Sequence, residues 1–288
     1  MAPIHALLGC TLLALSMWHG RLHGAGPDRA SRLHAWPSGM LPVFALGNQT
    51  FMNDSSGPHL TGLQENVFLR YFIFFLLIAF SWDLAGLDLK VMSLLGDSRG
   101  FAFKNHPLLA LWLHDRGKQL ALVVFLAMVT WVWRPVGPWK QLSKDQRVMA
   151  LIAVLASLLS VSLIKRYSLT SCPWELEVFG GVARYIPHWQ WGVHDGGGGR
   201  CFPGGHASSA LGLMPASLPF LVHSQPSLRK TGRRIFLLTS GTGLLFGLVQ
   251  TLRGAHYPSH TLWTAVICWA TGAGVYLALQ RRRIVLVQ

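Results

Sequence analysis

Apolar residues gather into six runs along the chain, at approximately 71–87, 119–133, 148–164, 207–222, 235–250 and 261–280. A helix that crosses a bilayer needs roughly 17–25 mostly apolar residues, so the pattern predicts an all-α integral membrane protein with six transmembrane helices. The second run is short and needs its flanking residues to span. Polar residues between the runs give the orientation. Arg134, Lys140, Lys144 and Arg147 separate runs two and three; Arg229, Lys230, Arg233 and Arg234 separate runs four and five; "RRR" follows run six at 281–283. Short basic loops stay on the cytoplasmic side. The stretches 88–118, 165–206 and 251–260 then face outward.

Composition agrees with this pattern. The 288 residues are 51% hydrophobic and 12% charged, with mean hydropathy +0.37. Soluble domains carry about 25% charged residues, which argues against a soluble helical core protein. The formal net charge of +14 would suit nucleic acid, but its basic residues fall in short clusters between apolar runs. That distribution points to an anionic lipid surface and to no nucleic-acid partner. Nothing in the composition bears on oligomeric state.

Residues 1–62 stand apart from the six-run plan. "HALLGCTLLALSMW" (5–18) resembles a signal segment, yet no charge precedes it. A cleaved signal would also place residue 60 outside, against the loop charges. The stretch 19–62, rich in Gly, Pro, Ser and His, reads as disordered. The expectation is a leader or mis-assigned start over 1–62, with Met52 as a candidate first residue, and a six-helix membrane domain over 63–288.

Three outward segments concentrate chemistry: "KRYSLTSCPWELEVFGG" at 165–181, "RCFPGGHASSA" at 200–210 and "RGAHYPSHTLW" at 253–263. Each is anchored at a helix end on one membrane face, so distant segments converge at one depth. Gly204 and Gly205 remove side chains that would block an anion from the N–H groups of a helix start, and His206 projects from its first turn. Taken alone, Pro-Gly-Gly reads as a plain turn before a helix; the neighbouring segments favour the anion site. His256 and His260 form an H-x-x-x-H pair, on one face if helical. That spacing suits zinc, a nucleophilic His256 oriented by His260, or two interfacial histidines. Lys165 and Arg253 supply fixed positive charge for a phosphoryl group.

The order of these motifs resembles the type 2 phosphatidic acid phosphatase superfamily, in a bacterial branch of membrane lipid phosphatases. These are six-helix membrane proteins with an outer active site. The family pattern is matched at Lys165, Pro173, Pro203, Gly205, His206 and His256. It is departed from at Cys172 and Gln250 (Arg in the family), Gly204 (Ser) and His260 (Asp). The resemblance, over roughly 65–280, implies that His256 attacks phosphorus, that His206 protonates the leaving group and that Lys165 binds phosphate oxygens. Gly204 and Gly205 would offer backbone N–H groups. Arg253 and Arg200 are the candidates for the missing guanidinium groups. His260 can hold His256 in its tautomer only as a neutral acceptor.

Cys172 and Cys201 both fall in the long outward loop, where an oxidising compartment permits a disulfide. Two free thiols are the alternative. Trp189 and Trp191 read as interfacial anchors, and Asp195 and His188 as lining an entrance. Glu175 and Glu177 read as partners of Arg184 or Lys165, or as solvated. Asp83 lies near the outer end of run one, where a carboxylate is unusual.

Together these features predict a metal-independent phosphatase of a membrane lipid phosphate, without cofactor. It would sit in a bacterial inner membrane with its site at the periplasmic face. A lipid phosphotransferase, a non-catalytic lipid-binding or transport protein, and a metal-binding protein using His206, His256 and His260 are the alternatives.

Overall fold

The computed structural model describes residues 57–110 and 116–287. The described residues belong to one compact unit; the expected leader and Met52 lie outside them, apart from the helix backbone that begins at Gly57. Among the described residues, five helices are long and apolar enough to cross a membrane, with candidate spans at Asn66–Leu84, Gln119–Gln141, Lys144–Tyr167, Pro226–Leu252 and Pro258–Arg282. They are α1 (Gly57–Leu84), α3 (Gly117–Trp133, extended by a 3-10 turn), α4 (Lys144–Tyr167), α7 (Pro226–Leu252) and α8 (Pro258–Val287). A short α2 (Leu87–Leu95) follows α1, and a two-residue hairpin pairs β1 (Gly96–Asp97) antiparallel to β2 (Gly100–Phe101). The chain is an all-α membrane protein.

Run four departs from the expected continuous helix. It folds as α5 (Gly205–Leu211), a 3-10 turn (Met214–Ser217) and α6 (Leu218–Leu221). Pro215 and Pro219 each remove a backbone donor, which interrupts the helical ladder. Every residue from Ala210 to Val222 is buried. Glycines on the neighbouring helices make this fit possible. A Cβ on Gly243 would meet Leu211 at 2.4 Å, one on Gly232 would meet the Leu221 nitrogen at 2.6 Å, and one on Gly272 would meet Pro215 at 2.2 Å. Small residues let membrane helices approach closely, and here they admit a broken segment between them.

The outer faces of the long helices are apolar and exposed. Leu77, Phe80, Leu120, Val123, Leu237 and Leu238 all stand clear of the protein. Such a belt is stable only against hydrocarbon, because water would drive it into association. Inside, Trp269 and Tyr276 are fully buried with Leu211, Met214 and Phe236. The Trp269 indole N–H donates to the Phe68 carbonyl at 3.0 Å, fastening α1 to α8.

Helix ends fix the two ends of the bundle. Ser143 and Gln146 form a reciprocal capping box at the start of α4, satisfying two donors that a helix start leaves open. Arg147 gathers the carbonyls of Leu142, Trp139 and Val132 at the same end. At the other end a second core joins Met92, Phe101, Leu176, Phe179, Ala183 and Tyr257. It draws together α2, the hairpin, the loop after α4 and the turn before α8. That end carries the three chemistry-bearing segments.

Candidate active site

Lys165 sits in the last turn of α4, and its aliphatic stem runs along Gly205: a Cβ there would lie 3.5 Å from its Cδ and Cε. Its ammonium reaches the carbonyls of Pro203 (3.4 Å) and Cys201 (3.5 Å). Lys165 is thus aimed at the turn that precedes His206.

His256 is set by a turn after α7. The Gln250 carbonyl accepts N–H bonds from Ala255 (2.8 Å) and His256 (3.3 Å). Gly254 makes this turn possible: its φ of +72° is costly for other residues, and a Cβ would lie 2.2 Å from Phe101. Gln250, where the family carries Arg, is buried and shapes the turn through its main chain. The His206 and His256 ring centroids are 6.3 Å apart and those of His256 and His260 are 5.8 Å apart. Residues from three separate segments therefore share one site.

Cys201 lies at its centre. Its Sγ is joined to that of Cys172 at 2.10 Å and lies 3.3 Å from His256 Nδ1. Its carbonyl faces His260 Nδ1 at 3.2 Å. A carbonyl only accepts, so His260 Nδ1 carries the proton and Nε2 is the acceptor in the neutral ring. His260 is almost fully buried and His256 nearly so.

Several expected phosphate contacts are placed differently. The Gly204 N–H donates to the Thr264 hydroxyl at 2.9 Å, which removes it as a ready anion donor. Thr264 lies one turn after His260 on α8, so the bond closes the loop onto the helix. Arg253 turns its Nε to the Lys104 carbonyl (3.0 Å) and Nη1 to the Gln250 side chain (3.3 Å). Arg200 is exposed, with a left-handed φ of 57°. Asp195 is a structural lock, accepting from Ser171 N–H (2.5 Å), the Ser171 hydroxyl (2.7 Å) and Gly197 N–H (3.0 Å). Glu175 takes the Cys172 N–H at 2.7 Å, whereas Glu177 is exposed. Trp189 and Trp191 are exposed on the loop surface.

Asp88 was not legible as a site-building residue from the run pattern. Its Oδ1 accepts from Trp82 Nε1 (2.9 Å) and Ser259 N–H (3.0 Å), and its Oδ2 from the Ser259 hydroxyl. Burial pushes its pKa up from the ordinary carboxylate range. The available signal was a second acidic residue directly after run one. His188 stacks on Phe202 at 4.4 Å, and burial pushes its pKa down to about 4. Of the groups with clustered metal-binding atoms, Cys172 and Cys201 with His256 is spent on the disulfide; Asp83, Asp88 and His188 form the other.

Residues 147–284 match the family model described as the PAP2 superfamily, which spans Lys165, His206, His256 and His260. No curated protein and no solved structure matches the chain.

Proposed function

Given that the segment 147–284 belongs to the PAP2 superfamily, and so to membrane phosphatases and phosphotransferases of lipid-like substrates, we propose that this chain hydrolyses a phosphate monoester or diphosphate on a membrane lipid. The observation that carries this reading is the convergence of His206 and His256, ring centroids 6.3 Å apart, with Lys165 packed on Gly205 beside them.

His256 attacks phosphorus. Its Nδ1 is turned to the Cys201 sulfur, so Nε2 is the nitrogen left for nucleophilic work. The lone pair of Nε2 forms the N–P bond as the lipid oxygen departs with the P–O bonding pair. His206 gives that oxygen a proton. Water then attacks phosphorus, giving up a proton to His206 as its O–P bond forms, and the N–P bonding pair returns to His256 Nε2. Lys165 neutralises charge on the equatorial oxygens, and the first-turn N–H of Gly205 adds a donor. His260, neutral, positions His256 by packing, its ring centroid 5.8 Å away, since Nδ1 of His256 is taken by the Cys201 sulfur. Arg253, bonded to the Lys104 carbonyl and the Gln250 side chain, and the exposed Arg200 are given no phosphate contact in this reading. The chemistry asks for no metal at the reacting atoms.

The basic loops at the opposite end support a site on the outer, periplasmic face of a bacterial inner membrane. Apolar faces of α1, α3 and α7 leave the lipid chain in the bilayer while its phosphate reaches the site.

Purified protein in detergent, offered a panel of lipid phosphates, tests the reading. Wild type should release phosphate from at least one, and His256→Ala and His206→Ala should each lose at least a thousandfold in rate, because nucleophile and acid act as a unit. Equal release by wild type and His256→Ala would end it.

A further inference from the structure

We propose that Asp83, Asp88 and His188 hold a divalent metal ion of the zinc or manganese class, separate from the reacting histidines. Asp83 lies at the end of α1, Asp88 in the first turn of α2 and His188 in the long loop after α4. One ligand atom from each lies within 4.8 Å of the others. All three are deeply placed: the His188 and Asp83 side chains are 5% and 9% exposed, and Asp88 is 5% exposed.

One carboxylate oxygen of the cluster is buried without a hydrogen-bond partner. Asp83 Oδ2 accepts from the Trp263 indole N–H at 2.6 Å, but its buried Oδ1 has no hydrogen-bond partner. Asp88 takes three donors, none of them charged. A carboxylate offers about four acceptor positions, so both retain capacity. Among the described residues no lysine or arginine pairs with either carboxylate; His188, with Nε2 3.5 Å from Asp83 Oδ2, is the ring that faces Asp83. Two buried carboxylates side by side take up a proton or are met by a counter-charge, and a bound metal ion supplies the latter.

The donor set selects the ion. One imidazole and two carboxylates suit zinc or manganese, whereas calcium takes six to eight oxygens. Two ligands about 2.1 Å from a tetrahedral ion stand roughly 3.4 Å apart, close to the 3.5 Å between His188 Nε2 and Asp83 Oδ2, the oxygen that also takes the Trp263 N–H. The Trp263, Trp82 and Ser259 donors form the outer shell that holds the carboxylates in place. An ion here cross-links α1, α2 and the loop, beside His260, whose ring centroid is 5.7 Å from that of His188.

Metal content decides the matter. Full-length protein is purified in detergent after growth with zinc or manganese, dialysed, and measured by mass spectrometry of the elements. Wild type and His256→Ala should each retain about one equivalent, and Asp83→Asn with His188→Ala should retain less than a tenth of that. Chelation should lower the wild-type unfolding temperature, and zinc or manganese should restore it. Titration of chelated wild type with either metal covers the case in which the double variant fails to fold: saturable one-to-one binding is expected, and its absence overturns the site. Metal retained equally by the double variant, or lost in His256→Ala, also overturns it. Because His256→Ala abolishes phosphate release but leaves the ion, the two proposals fail independently.

Discussion

The Asp88 carboxylate accepts the backbone N–H of Ser259 at 3.0 Å, across 171 positions of sequence. Ser259 stands in the first turn of α8, between His256 and His260, where N–H groups lack intrahelical partners and negative charge is favoured. A residue of α2 thereby does the work of a helix cap for the helix that carries the site. The placement of the two histidines depends on a segment outside the matched region 147–284.

Removing half of this tether should be measurable. Ser259→Ala deletes the buried hydroxyl donor and keeps the backbone donor. A loss of about 1.5–3 kcal/mol is expected, as for a hydrogen bond to a charged group. Denaturant unfolding in detergent reads it, and an unchanged midpoint would assign the hydroxyl no stabilising part.

Lys165 should affect turnover more than folding, because its stem is only half-buried and its ammonium meets carbonyl groups at long range. For Lys165→Gln the expected drop in kcat/KM is about a hundredfold, or roughly 2.7 kcal/mol of transition-state stabilisation. Unfolding temperature is the companion measurement. A large thermal shift with little kinetic loss would make Lys165 a structural residue.

The disulfide closes a separation of 29 residues. Loop-closure entropy gives such a link about 3–4 kcal/mol against the unfolded chain. Reductant should therefore lower the unfolding temperature of wild type, while Cys172→Ser starts low and does not respond. Activity should fall alongside, since the Cys201 carbonyl faces both Lys165 and His260. Insensitivity of wild type to reductant would contradict this.

Two glycines of α7 make a matched pair. A Cβ on Gly247 would lie 2.2 Å from Thr261 Cγ2, whereas one on Gly241 meets nothing within 4 Å. Gly247→Ala should cost about 1–3 kcal/mol through overpacking. Gly241→Ala should gain up to about 1 kcal/mol from helix propensity. Equal effects at both sites would show that the close approach of α7 to α8 is not a constraint.

Residues fixed at helix ends were readable because sequence neighbours determine them. Lys165 closes an apolar run, Gly205 and His206 open one, and His256 follows a turn glycine. What escaped depends on partners far along the chain. The Gly204 N–H looked available until Thr264, 60 positions on, took it. Arg253, expected to meet phosphate, also bonds the Lys104 carbonyl 149 positions away, which no local pattern announces. Asp88 belongs to the same class. Run four differs: hydropathy registers how apolar residues 207–222 are, but not whether their backbone is continuous. Pro215 and Pro219 were the visible warning.

The broken form of that run bears on how the protein is made. A segment with interrupted backbone bonding has no stable place alone in hydrocarbon, where unsatisfied carbonyl and amide groups cannot turn to water. Its cover comes from α4, already synthesised, and from α7 and α8, which emerge after it and pack against it at Gly232, Gly243 and Gly272. His206 therefore reaches its position only when the last helix has joined the bundle. A nascent chain halted before α8 would carry His206 and His256 but lack Ser259, His260 and Thr264, the α8 residues that hold the turn and the loop around them in place.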